Sequence, residues 1–321
     1  MSELILHHYP NSPFAEKIRL AFGLKNLSWR SCDVSPIMPK PELQALTGGY
    51  RRVPVLQVGA DIYCDTLLIC EVLEALQPPS ASVASLYPQG QTGLARTLAQ
   101  WADGTLFSTA MAYNFSPKGG MEYARLNPTQ DMKAFAMDRG AMRGGAPRMY
   151  PGDATAAYKS YLRRIATMLE SSNFVLGDQV SEADLAIYHP LWFTRRLPAV
   201  ADVLATNAAI LPWMDRVAAL GHGKRNGTEL SRAESLEIAR QATPDMASSS
   251  ADSANVFQDE HGIPLGTEVT ITAESFGLEV TSGTLVAATR TRFTLRREHE
   301  LTGVVHVHFP RIGFVLKKAE A

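Results

Sequence analysis

Leu4-Ile5-Leu6-His7-His8-Tyr9-Pro10-Asn11-Ser12-Pro13-Phe14-Ala15-Glu16-Lys17-Ile18 decides how the chain opens. Its first six residues form a short apolar run suited to a buried strand. Pro10 and Pro13 end that run. Ser12 is a residue type that caps a helix, and Pro13 suits the first helical position. From Phe14 on, Ile18, Leu20, Ala21 and Leu24 recur as apolar positions, with Glu16, Lys17 and Arg19 between them. A helix is therefore expected directly after the strand.

The alternation continues. A second strand is expected around residues 29–34, then the proline-punctuated loop Pro36-Ile37-Met38-Pro39-Lys40-Pro41 and a short helix over 42–46. Thr47-Gly48-Gly49-Tyr50 reads as a turn, and Val53-Pro54-Val55-Leu56-Gln57-Val58 as a strand entered through a proline. Ile62-Tyr63-Cys64 follows, and Asp65-Thr66 caps an amphipathic helix that Pro78-Pro79 stops. The order β-α-β-α-β-β-α describes a compact mixed-sheet unit. From Gly90 to Gln241 the apolar spacing becomes helical over 94–107, 132–142, 154–170, 182–193, 211–220 and 231–241, with Gly- and Pro-rich breaks at 116–120 and 144–147. Ala247-Ser248-Ser249-Ser250-Ala251-Asp252-Ser253-Ala254 has linker composition. Beyond it the period drops to two, giving strands over 267–273, 284–288, 291–297, 304–309 and 313–317.

The expected fold is an α/β thioredoxin-like domain over 1–80, an all-α bundle over 88–242, a linker over 243–261 and a small all-β barrel or roll over 262–321. Hydrophobic residues make up 45% of the 321 and charged ones 20%, enough apolar material for a core in each part. Lys+Arg is 31 and Asp+Glu 32, so the net charge of −1 argues against a charge-driven nucleic-acid binder. No apolar run is long enough for a membrane span, and Met1-Ser2-Glu3 lacks the basic start of a secretory signal. Cys32, Cys64 and Cys70 suggest no disulfide framework and form no CxxC pair. A cytoplasmic, reducing location is the expectation.

Three features in the first unit carry chemistry. At the Ser12-Pro13 junction, unpaired N–H groups and the helix dipole favour an anion. Such a terminus, with nearby cations, lowers a thiol pKa from about 8.5 into the range of roughly 3.5–7.5. The cap is a hydroxyl, so the thiolate it would stabilise belongs to a ligand, with the Ser12 O–H donating to it. Tyr9 and Asn11 stand close by as alternative donors; Ser12 ranks first because it alone pairs with Pro13 as a cap. At Val53-Pro54 a cis bond would expose the Val53 backbone for pairing with an extended ligand. Asp65 and Thr66, at a helix start, suit the amine and carboxylate of one small molecule.

Taken together, these features resemble the thioredoxin-like domain of the glutathione S-transferases over about residues 3–78, with the helical part extending the likeness to about 242. Ser12-Pro13-Phe14-Ala15 matches the Cys-Pro-Phe-Ala start of the omega-like branch, with Ser in place of Cys. The resemblance implies that Ser12 contacts the glutathione sulfur beside Pro13 and Phe14. It also implies that Pro54 is the family's cis-proline, that Val53 pairs with the cysteinyl backbone, and that Asp65-Thr66 holds the γ-glutamyl group. Lys40 would meet the glycyl carboxylate. Without Cys at position 12, thiol transfer through an enzyme mixed disulfide is disfavoured. Residues 174–186 resemble the family's folding motif, with Ser181 and Asp184 forming a capping box.

The resemblance implies a transferase that binds glutathione as co-substrate, joins it to a hydrophobic electrophilic small molecule, and forms a homodimer. The alternative is a non-catalytic binding or regulatory protein on the same scaffold, with the C-terminal β part engaging a partner. No metal site is expected. His7 and His8 alternate along one strand, and His306, His308 and His299 lack further ligands at zinc spacing. Arg51 or Arg52 could face a ligand carboxylate, while Trp192, Phe193 and Trp213 are expected in the core. Cys64 is expected to be a buried structural thiol. Arg290, Arg292 and Arg296 would share a strand face, in a segment whose seven basic residues meet six acidic ones.

Overall fold

The computed structural model describes residues 3–245, 257 and 260–320. Its first strand, β1 (Leu4–His8), is buried along its whole length, as a strand covered on both faces must be. β2 (Ser28–Asp33) pairs with it in parallel and β3 (Val55–Val58) antiparallel; β4 (Asp61–Cys64) pairs antiparallel with β3. Helices α1 (Pro13–Leu24), α2 (Pro41–Thr47) and α3 (Thr66–Leu76) complete the expected thioredoxin-like unit. Ser12 caps α1: its extended backbone lets the side chain accept from the Ala15 N–H at 3.2 Å.

The helical part begins with α4 (Thr92–Trp101), which passes through a π-helical turn (Ala102–Leu106) into α5 (Phe107–Asn114). α6 (Pro117–Leu126), α7 (Met132–Arg143), α8 (Pro151–Met168), α9 (Glu182–Arg195), α10 (Ile210–Ala218) and α11 (Arg232–Gln241) follow. α9 is the central helix, buried everywhere except at Trp192 and Arg195. The expected box at its start forms around Asp184, which accepts from the Ser181 N–H at 2.9 Å and the Ser181 hydroxyl at 3.0 Å. The same carboxylate accepts from the Val175 N–H at 2.9 Å and from Trp213 Nε1 at 3.0 Å. α7 is packed far less: of its residues only Phe135 and Met142 are buried. The two-residue strand β5 (Lys224–Arg225) returns to the sheet beside β2.

The C-terminal strands are β6 (Glu268–Ala273), β7 (Thr281–Ala288), β8 (Arg292–His299), β9 (Gly303–Pro310) and β10 (Phe314–Lys318). All five expected strands form, each within a few residues of the bounds read from the sequence. The C-terminal part is strand-rich as expected, but the barrel or roll form does not emerge from its pairings. β9 pairs in parallel with β4, setting Asp61 opposite His306, Ile62 opposite Val307 and Tyr63 opposite His308. The result is one sheet of ten strands in the order β10-β6-β7-β8-β9-β4-β3-β1-β2-β5, and among the described residues no pairing closes it. The physical cause is the free edge of β4, which the segment covers. One apolar core spans the join: Leu46, Tyr50, Val55 and Ile62 pack with Leu236 of α11 and with Val269, Leu295, Val307 and Phe309. Arg290 also needs correction, because it sits in the turn before β8; only Arg292 and Arg296 share that strand's face. The expected linker lies largely outside the described residues.

Candidate functional site

The expected site residues fall on three neighbouring pieces of backbone. Ser12, Pro13 and Phe14 lie where β1 turns into α1; Val53 and Pro54 lead into β3; Asp65 and Thr66 lead from β4 into α3. The Val53–Pro54 bond is cis. The backbone N–H and C=O of Val53 have no partner among the described residues, and its side chain is partly exposed. Asp65 holds φ at +76°, a left-handed value uncommon outside glycine, and its carboxylate accepts from the Leu67 N–H at 3.0 Å. Such a conformation costs on the order of 1–3 kcal/mol and clusters at ligand-binding positions.

The three candidate thiolate donors differ in what remains free. Asn11 is committed at both ends: its amide donates to Asn127 Oδ1 at 2.8 Å, and its oxygen accepts from Arg196 at 2.8 Å. The Tyr9 hydroxyl accepts from Arg139 Nη2 at 3.3 Å and keeps its own proton to donate. Ser12 Oγ accepts from Ala15, and its proton has no acceptor among the described residues. Ser12 is only 1% exposed, so the present arrangement is closed over it.

Two expected contacts are turned elsewhere. The Lys40 amine donates to the Arg51 carbonyl at 3.0 Å and is buried. Burial, together with the nearby Arg139 and Arg51 charges, pulls its pKa down to about 7. The Thr66 hydroxyl is drawn inward, donating to Asp103 Oδ2 at 3.4 Å and accepting from Lys17 at 3.4 Å. Lys17 in turn binds Asp103 at 2.7 Å and Glu182 at 3.1 Å, and Asp103 pairs with His189 at 2.9 Å. Burial alone would raise the Asp103 carboxyl, but Lys17 and His189 outweigh it and hold it below the usual range. This cluster joins α1, the π-helical turn and α9. Lys17 and Glu182 are buried because the two parts pack against each other across this cluster.

The sequence reading also missed a cover. Asp138 and Arg139 of α7 reach across to the first unit. Asp138 accepts from the Met38 N–H at 3.0 Å and from Arg51, and Arg139 donates to the Pro36 carbonyl at 2.8 Å. On the other side Glu279, between β6 and β7, binds Arg51 at 2.9 Å, and Arg52 donates to the Ser275 carbonyl. No sequence signal near Asp138 or Glu279 marks them, because their partners lie in distant segments.

The remaining candidates are structural. His7 Nε2 meets Gln57 Oε1 at 2.8 Å, and His308 lies between Asp61 and Thr294 at 2.9 Å each. Trp213 is fully buried, and Phe193 is buried against the rings of Phe115 and Tyr123. Cys64 is fully buried, and burial pushes its thiol well up. Among the described residues no helix is long and apolar enough to cross a membrane.

A thioredoxin-like unit with a cis-proline strand, a capped first helix and an all-helical second part defines a glutathione-transferase type of fold. Comparison with known proteins agrees. Residues 6–81 match the model of the glutathione S-transferase N-terminal domain. A crystal structure of a GST-like protein from Pseudomonas syringae is 38% identical, covering 99% of this chain and 100% of that one, with a TM-score of 0.75. The chain belongs to the glutathione S-transferase family. Two more distant structures share the fold. One is a Tau class glutathione S-transferase from mango, Mangifera indica, at 15% identity over 68% of this chain and 89% of that one, TM-score 0.51. The other is the beta-etherase LigF from Sphingobium sp. strain SYK-6, at 16% identity over 68% and 96%, TM-score 0.51. No curated protein sequence matches.

Proposed function

We propose that the protein is a glutathione transferase in which glutathione lies extended along Val53, with its sulfur at Ser12 and the N-terminus of α1. The observation that carries this is the free backbone N–H and C=O of Val53, beside a cis-proline and within one unit with the caps Ser12 and Asp65. An extended peptide satisfies such groups as an added strand would. The helix terminus and the spare Ser12 proton favour the thiolate over the thiol, and holding both reactants at one site supplies proximity to a hydrophobic electrophilic small molecule. Tyr9, with its proton also free, is the second donor. Because Ser12 is 1% exposed, binding requires the packing around it to open. Pro13 and Phe14 shape the helix start, Lys40 would meet the glycyl carboxylate after turning from Arg51, and Asp65 with the Thr66 backbone N–H would hold the γ-glutamyl end. A cytoplasmic homodimer is part of the proposal.

Glutathione titration of the full chain, with conjugation of an aryl halide as the activity readout, tests this. Saturable binding, with conjugation reduced about 10-fold or more in Ser12→Ala, supports it. The closed arrangement over Ser12 favours one rival, a non-catalytic binding protein on the same scaffold. Absence of glutathione binding at millimolar concentration would support that rival.

A further inference from the structure

We propose that Arg52 takes the α-carboxylate at the γ-glutamyl end of the ligand, and that the C-terminal sheet holds it in place to do so. This rests on the glutathione reading above and adds the residue that recognises that end.

The residue expected to take this carboxylate through its hydroxyl is already engaged. Thr66 is 4% exposed, and its hydroxyl points into the Lys17–Asp103 cluster. Arg52 stands at the same spot from the other side: its Nη1 is 3.9 Å from Asp65 Oδ2, too far for a hydrogen bond. The two side chains are about a quarter exposed, at 23% and 25%. The head of an amino acid carries an ammonium and a carboxylate on one carbon. A cation and an anion set side by side and partly open match that head, with the ammonium on Asp65 and the carboxylate on Arg52. Arg52 Nη2 is taken by the Ser275 carbonyl, but Nη1 makes no hydrogen bond among the described residues, so a donor remains for the ligand.

The position of Arg52 is set largely by residues outside the thioredoxin-like unit. Its guanidinium donates to the Ser275 carbonyl and lies 5.9 Å from the Phe314 ring centre and 6.0 Å from that of Tyr50. A Cβ placed on Gly277 would stand 3.5 Å from Arg52 Cγ. Ser275, Gly277 and Phe314 all belong to the C-terminal segment, which thereby acquires a role at the site as well as on the edge of β4.

The test compares two ligands on the full-length protein by calorimetry. One is glutathione. The other is the tripeptide with 4-aminobutyryl in place of γ-glutamyl, which lacks only the α-carboxylate. Arg52→Gln is expected to weaken glutathione roughly 10- to 100-fold and to leave the affinity for the analogue unchanged. Phe314→Leu, which loosens the support without touching the ligand, is expected to show the same preference with a smaller loss. A cooperative thermal transition like that of the parent shows that each variant is folded. If the parent binds glutathione but Arg52→Gln binds it equally well, or weakens both ligands alike, the assignment of Arg52 is overturned and the glutathione reading stands. If the parent binds neither ligand, the glutathione reading falls and takes this assignment with it.

Discussion

Arg51, in the loop before β3, meets Glu279, between β6 and β7, at 2.9 Å although 228 residues separate them. Its other side is held by Asp138 of α7. One guanidinium thus ties together the thioredoxin-like unit, the helical part and the C-terminal sheet. Arg51 and Asp138 have side chains only 5% and 8% exposed, while Glu279 is 34% exposed. Asp138 keeps Arg139 at 2.5 Å when Arg51 is removed, so the loss is that of a charged hydrogen bond, roughly 1.5–3 kcal/mol. Arg51→Met is expected to lose that much in urea unfolding. Glu279→Gln is expected to lose at most about 1 kcal/mol, because an exposed partner is well solvated without the bond. Equal losses from the two would show that the clasp is not organised around Asp138.

The parts of this arrangement that sequence revealed are the local ones. Ser12-Pro13, Val53-Pro54, Asp65-Thr66 and Ser181…Asp184 are all short-range signals, and each sits where its residue types placed it. The five C-terminal strands were legible from their alternation, but their attachment to β4 was not. Strand periodicity says which face is apolar; it is silent on which edge will pair. The burial of Lys17 and Glu182, the inward turn of Thr66 and the cover from Asp138 and Arg139 all depend on segments 37 or more residues apart. No local pattern carries that information.

Stability should fall steadily below neutral pH because two histidines are built in as neutral groups. Arg19 donates to His8 Nδ1 at 3.0 Å, so that nitrogen must stay unprotonated. Gln57 spends its amide N–H groups on the Gly59 and Ser235 carbonyls, so its oxygen accepts from His7 Nε2. Burial lowers the His7 pKa to about 4, and burial with the Arg19 charge lowers that of His8 to about 3. The unfolded chain therefore binds protons below about pH 6.5 that the folded chain refuses, and stability drops as pH falls. Each histidine contributes about 1.4 kcal/mol per pH unit in that window, so by about pH 4.5 the pair has removed roughly 5 kcal/mol. Urea midpoints between pH 7 and 4.5 give the slope, and His8→Asn should remove about 2.7 kcal/mol of the fall. A flat profile in the parent protein would contradict the neutral assignment.

The carboxylate of Asp184 is expected to be the most sensitive single group in the helical part. It accepts from Ser181, Val175 and Trp213 at once and is fully buried. Asp184→Ala leaves those donors without an acceptor, each at a cost of about 1–3 kcal/mol. A loss of at least about 4 kcal/mol in chemical denaturation is expected. Asp184→Asn keeps one acceptor oxygen and should fall between the alanine variant and the parent. A loss below about 1 kcal/mol for the alanine variant would mean that water replaces the missing acceptor.

The join between β4 and β9 makes a prediction about folding as a whole. Without the C-terminal strands, the edge of β4 would be unpaired, and Leu46, Tyr50, Val55 and Ile62 would lose the apolar side chains that cover them. An open strand edge beside exposed apolar residues is a template for aggregation. A chain ending at residue 245 should therefore be poorly soluble and should bind a hydrophobic dye strongly, although it retains every element of the thioredoxin-like and helical parts. Supplying residues 260–321 as a separate polypeptide during refolding should restore solubility, because the pairing of β9 with β4 needs no covalent link. A soluble, cooperatively unfolding chain of 245 residues would show instead that the thioredoxin-like and helical parts fold without the shared core.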